Sequence, residues 1–152
     1  MPNSKPSDAT LRLIVESYQR LTGKPLLEHL HLHGNDSDLR TAIWEEPRAI
    51  VAHGTEVDPI FFYGNRLALQ LFEMNEDEFA RLPSRLSAEP MAQDARVMLL
   101  EKVTQQGYVD GYSGMRIAKS GRRFMITDTT VWNLLDEAGL YHGQAAVFRS
   151  TT

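Results

Sequence analysis

The sequence predicts an α+β fold: a five-stranded antiparallel sheet with short helices on one face and an N-terminal helical extension. Three observations carry this. After Gly107 the apolar residues recur at every second position, in three runs separated only by the short turns Ser120-Gly121 and Asp136–Gly139, the pattern of an antiparallel meander. Upstream, Ala49–His53 and Ile60–Tyr63 are two more β runs, close enough to form a hairpin. Between the two groups lie several short helical segments, and an apolar stripe at helical spacing precedes them all.

Taken in order, residues 1–8 are polar, and Ser7 or Asp8 caps the first helix. Leu11, Ile14, Val15, Tyr18 and Leu21 line one side of it; Gly23 ends it and Pro25 prevents resumption. Leu26 to His33 reads equally as helix or loop. Asn35–Asp38 marks a break, and Leu39, Ala42 and Ile43 suggest a further short helix stopped before Pro47. The strand Ala49–His53 ends at Gly54, and Asp58-Pro59 turns the chain into Ile60–Tyr63. Asn65 caps a helix carrying Leu67, Leu71 and Phe72, and Asn75 with Glu78 forms a capping box for the next. Pro83–Pro90 is irregular. Met91 to Gln106 is helical, with Met91, Ala95, Met98, Leu99 and Val103 on one face. Strands then follow over Tyr108 to Lys119, Arg122 to Leu135 and Leu140 to Arg149.

Composition narrows the function. The chain has 152 residues, 42% apolar and 24% charged, an ordinary globular balance. The absence of cysteine removes disulfides, thiolate metal sites and cysteine nucleophiles. With 16 basic and 20 acidic residues the net charge is −4, which argues against a broad nucleic-acid surface. No apolar run has membrane-span length and no signal core opens the chain, so a cytoplasmic protein is expected. Nor is there a GxSxG, a Gly-rich phosphate loop or an HExxH; the chain is expected not to be an enzyme.

The segment PIFFYGNRLALQLFEMNEDEF (59–79) and the closing meander, with its basic turn Lys119–Arg122, resemble the PAS-domain pattern. More specifically, His53-Gly54-Thr55, Asp58–Phe61, Tyr63-Gly64-Asn65, Leu71–Met74, Leu82–Pro90, Tyr112-Ser113-Gly114, Val131-Trp132-Asn133 and Gly143–Ala146 resemble the MEKHLA domain over roughly residues 40–149. That domain is PAS-related; it occurs alone in bacteria and at the C-terminal end of a class of plant homeodomain–leucine-zipper factors. The resemblance implies a helical flank (1–46), a PAS-like domain (47–149), and a sensor or interaction role. It supplies no ligand.

Short helices arching over a sheet leave room for a chamber. Tyr63, Asn65, Arg85, Tyr112, Arg116, Trp132 and Gln144 are the candidate ligand-binding residues around it. Arg85, in an apolar setting, requires a carboxylate partner, with Asp58 and Glu89 nearest in sequence, or an anionic ligand. Trp132 offers stacking or core packing. Strand parity puts Gln144, Ala146 and Phe148 on one face. Should Arg85 be fully paired to a carboxylate and Trp132 lie on the opposite sheet face, the binding-site hypothesis fails and a purely structural module takes its place. His53 is either a haem ligand or a strand-end hydrogen-bonding group. Haem or non-covalent flavin are the open cofactors, a cysteinyl flavin adduct being excluded. His29, His31 and His33 are a weak metal candidate, lacking a fourth ligand.

The expected protein is thus a free-standing sensory or interaction module that binds a small molecule or a partner protein and signals through an unknown output protein. No membrane or nucleic-acid partner is expected. The N-terminal stripe packs on the sheet's outer face or on a second copy, and a homodimer through that helix is the expected assembly. The alternative is a small enzyme in the same cavity, using Asp110, Asp128 and His53, or a ligand-free dimerisation module.

Overall fold

A computed structural model describes residues 6–27, 36–88 and 93–150. Helices α1 (Asp8–Thr22) and α2 (Asp36–Glu45) precede strands β1 (Ala49–His53) and β2 (Phe61–Gly64). Then come α3 (Arg66–Phe72), α4 (Glu76–Phe79), a 3₁₀ turn (Ser84–Ser87), α5 (Gln93–Gln106), and β3 (Tyr108–Ile117), β4 (Arg123–Leu135) and β5 (Tyr141–Ser150). The five strands form one antiparallel sheet in the order β2-β1-β5-β4-β3. The expected hairpin, meander and helical roof are all present.

The helix ends follow local chemistry. The Ser7 hydroxyl accepts from Thr10 N, and Gly23 at φ 76° closes α1, a left-handed position that glycine fills without a Cβ penalty. Asn75 and Glu78 form the reciprocal capping box at α4. The Asn65 carboxamide does more than cap α3. Its oxygen accepts from Ala68 N at 3.2 Å and from Ile50 N at 3.0 Å, and its nitrogen donates to the carbonyls of Ile43 and Arg48. One buried side chain therefore ties α2, β1 and α3 together.

The sheet is covered on both faces. On the outer face, Leu11, Ile14, Val15 and Tyr18 of α1 and Leu39 and Ile43 of α2 pack against Ile50, Ala52, Tyr63, Trp132, Leu134, Ala145 and Val147. The apolar stripe of α1 is thus spent on the chain's own sheet. That removes the premise on which a homodimer through this helix was expected. On the inner face, Phe61, Phe72, Phe79 and Phe124 form a ring cluster, with Phe61 and Phe79 stacked at 4.4 Å. The basic turn between β3 and β4 is anchored to the α3–α4 corner: Lys119 pairs with Glu78 and Arg122 with Glu73.

A break in β4 sets which residue faces which way. The β4–β5 register shifts between Thr127 and Thr130, where Asp128 adopts φ 50°. Before this bulge the even-numbered Phe124 and Ile126 face the inner core; after it the odd-numbered Val131 does, and Trp132 and Leu134 face α1. Such bulges reverse side-chain parity along a strand.

Candidate ligand chamber

Between the inner face of the sheet and the roof made by the 3₁₀ turn and α5 lies a cavity of about 70 Å³. That exceeds several-fold the roughly 10–15 Å³ that holds one water. Its apolar wall includes Val51, Phe61, Phe72, Leu99, Ile126, Val131, Ala146 and Phe148. Into this wall are set the polar side chains of His53, Ser84, Arg96, Tyr112, Arg116 and Gln144.

Arg96 and Arg116 are each only 9% exposed. The Arg96 guanidinium donates to the Ser84 hydroxyl, and Arg116 Nη1 donates to the Met115 carbonyl at 2.9 Å while its Cζ lies 5.7 Å from the Tyr112 ring centroid. Burial, and then the neighbouring Arg116 charge, pull Arg96 below its ordinary pKa. His53 Nδ1 lies 3.1 Å from the Gly54 carbonyl, which makes Nδ1 the donor; Nε2 is buried and, among the described residues, no group meets it in hydrogen-bonding geometry, although the Gln144 side chain acts on the ring. The Gln144 carboxamide donates to Asn133 Oδ1, Thr104 Oγ1 and the Leu100 carbonyl. Asn133 Nδ2 in turn donates to the Val103 carbonyl at 3.0 Å. These bonds pin α5 to β4 and β5.

Of the residues expected at the chamber, Tyr112, Arg116 and Gln144 line it; Tyr63, Asn65, Arg85 and Trp132 do not. Tyr63 pairs with Ala52 and Trp132 with Ala145, so both face α1. The residue opposite Gln144 is Asn133. Asn65 has its carboxamide fully engaged with backbone. Arg85 is 53% exposed and paired with Asp58 at 3.0 Å, the internal partner named from sequence. The binding site as expected from Arg85 and Trp132 therefore fails, and any reading of the cavity as a site has to stand on the residues that do line it. Arg85→Ala should change stability by no more than about 0.5 kcal/mol, as for an exposed ion pair. A larger loss in urea denaturation would show that the pair carries unrecognised structural weight.

Arg96 and Ser84 were missed. Of the expected α5 face of Met91, Ala95, Met98, Leu99 and Val103, Leu99 and Val103 are buried, Ala95 and Met98 are exposed, and Met91 lies outside the described residues. The buried stripe is Arg96, Leu99 and Val103. Leu99, Leu100 and Val103 at i+3, i+4 and i+7 from Arg96 carried that signal, masked by the charge at its head. The acid–base set is not assembled: His53 lines the chamber while Asp110 and Asp128 are exposed. His29, His31 and His33 lie outside the described residues, among which no cluster suited to a metal occurs. At about 70 Å³ the chamber is smaller than the roughly 300–1,000 Å³ of pockets that take drug-sized ligands. No helix among the described residues is long and apolar enough to cross a membrane.

Burial holds the His53 imidazole below its ordinary pKa, against the hydrogen bond to Gly54. The Arg96 charge lowers it further, while Gln144 and Glu56 act in the opposite sense. In the unfolded chain it protonates near about 6.5. Below that pH the unfolded state binds a proton that the folded state resists, so stability falls as pH drops through this region toward the folded value. His53→Gln should flatten that slope in urea titrations between about pH 7 and 5; an unaltered slope would assign it to other groups. The lowered carboxyls of Glu73, Glu78 and Asp136 act at more acid pH.

A sheet ordered β2-β1-β5-β4-β3, with short helices arched over a small inner chamber, defines a PAS-like domain. Among solved structures, the PAS domain of a protein from Colwellia psychrerythraea superposes with a TM-score of 0.66 at 17% identity, over 76% of this chain and 96% of that one. A light-oxygen-voltage domain from a flavin-analogue study superposes at 0.61 and 18% identity, over 77% and 84%. The MEKHLA domain model matches residues 8–152, and the chain belongs to that family. Relatives include the homeobox-leucine zipper proteins ATHB-9 of Arabidopsis thaliana, 23% identical over 90% of this chain, and HOX10 of Oryza sativa subsp. indica, 27% identical over 94%. The chain spans only 16% and 17% of their lengths. The match begins at the N-terminus of α1, consistent with that helix sharing the outer core.

Proposed function

We propose that the protein is a sensory module that takes a small molecule into the inner chamber and relays occupancy through the sheet to α1 and an output protein. The observation that carries this is the set of buried polar groups in the chamber wall, with the unpartnered His53 Nε2 among them. A wall serving only for packing would be apolar, because burying a polar atom without a partner is unfavourable. An apolar pocket with a few convergent polar groups is the usual form of a small-molecule site. Activity as an enzyme is not part of this reading, since the chamber brings no carboxylate to His53 among the described residues.

Native mass spectrometry of the full chain purified from its own host should show a retained small molecule that departs on denaturation. A bare mass, with no response to any added small molecule, would leave a ligand-free structural module. The modest volume of the cavity and the pairing of Arg85 favour that second reading. The buried cations and the orphaned imidazole weigh against it.

A further inference from the structure

Arg96 reaches the chamber from α5 and Arg116 from β3, and both are almost wholly buried. A guanidinium keeps its charge at any physiological pH. The hydrogen bonds that both make among the described residues go to neutral groups, the Ser84 hydroxyl and the Met115 carbonyl. Among the described residues neither forms an ion pair, and no carboxylate lines the cavity. Asp58, the acid that acts on Arg96 from a distance, is already engaged by Arg85. Two like charges thus face one small cavity without a counter-ion among the described residues, an arrangement that is strongly unfavourable unless an anion completes it. Each guanidinium offers five donors, so several are uncommitted among the described residues.

We propose that the chamber receives a small organic carboxylate, its head group held between Arg96 and Arg116 and its short carbon chain against the apolar wall. This rests on reading the chamber as a ligand site. The planar fork of arginine matches a carboxylate. The volume limits the ligand to a handful of heavy atoms. Phe61, Phe148 and Ile126 on the remaining wall favour a carbon chain over a bare inorganic anion.

The test is calorimetry and thermal melting of the full chain, at constant ionic strength, with sodium propionate, butyrate, succinate and phosphate, and with propionamide as the neutral counterpart. At least one of the carboxylates should bind and raise the melting temperature, and propionamide should not. Arg116→Gln and Arg96→Gln should each weaken that carboxylate by about tenfold or more. Arg96→Met, which also removes the like-charge conflict, should melt at or above the wild-type temperature without ligand. Ala146→Leu, which fills the chamber and leaves both charges in place, should abolish binding. Glu89→Gln should leave the carboxylate affinity unchanged; a marked gain would mean that the chain supplies its own anion and would overturn the proposal. Equal responses to propionate and propionamide, a response to phosphate alone, or binding indifferent to both arginine substitutions would overturn it too. If native mass spectrometry finds a neutral ligand while every carboxylate fails, the chamber reading survives and the carboxylate assignment falls. If no molecule is retained and no probe binds, both fall.

Discussion

Replacing Trp132 by alanine is expected to lower stability by about 4 kcal/mol, the usual loss for a fully buried tryptophan, and to leave the proposed chamber binding intact in whatever fraction stays folded. The indole is completely buried between the outer face of the sheet and α1. Its ring meets Tyr18 edge-on at 4.8 Å. Its Nε1 donates to the Ser17 hydroxyl at 3.2 Å, which itself donates to the Leu13 carbonyl. Total stability for a domain is on the order of 5–15 kcal/mol, so this one substitution should consume a large share. Trp132→Phe keeps the ring contact and loses the hydrogen bond, for a loss of about 1 kcal/mol. Urea denaturation measures both. A small loss for alanine accompanied by weakened chamber binding would return Trp132 to the ligand-stacking role first expected of it.

Asn65→Ala should cost about 3 kcal/mol. A simple N-cap contributes about 1 kcal/mol; the remainder comes from the Ile50 amide and the Ile43 and Arg48 carbonyls, left without the side chain that satisfies them. Asn65→Ser separates the two contributions. Serine can cap α3 but cannot donate to two carbonyls at once, so it should restore only about 1 kcal/mol. If alanine costs no more than serine recovers, the side chain is a cap and nothing else. Measured unfolding of α2 ahead of the sheet would agree with the larger role.

The architecture was legible because its signals are local. Asn65, Asn75 with Glu78, and Gly23 each announce a helix end through the chemistry of one or two residues, and the meander turns do the same for the strands. The site was legible only in part because it depends on facing, which is not local. Gln144 and Phe148 lie on an unbroken stretch of β5, and parity placed them correctly. In β4 the same rule counts from Phe124 to Trp132 as an even number of steps and puts both on the inner face. The bulge at Asp128 takes one step out of register and turns Trp132 outward. No residue pattern near 127–130 announces that bulge, since it is visible only against the partner strand. Arg96 escaped notice for a different reason: a charged residue at the head of an apolar stripe reads as solvent-facing until its neighbours are seen to bury it.

The same bulge has a mechanical consequence. Val131 borders the chamber and Trp132, its immediate neighbour, is wedged against Ser17 and Tyr18 of α1. Along the chain they are separated by one peptide unit, about 3.3 Å of strand. The relay proposed from chamber to helix would therefore need no chain of intermediaries. Under that proposal, a shift of β4 that makes room at Val131 would press Trp132 directly on Ser17 and Tyr18.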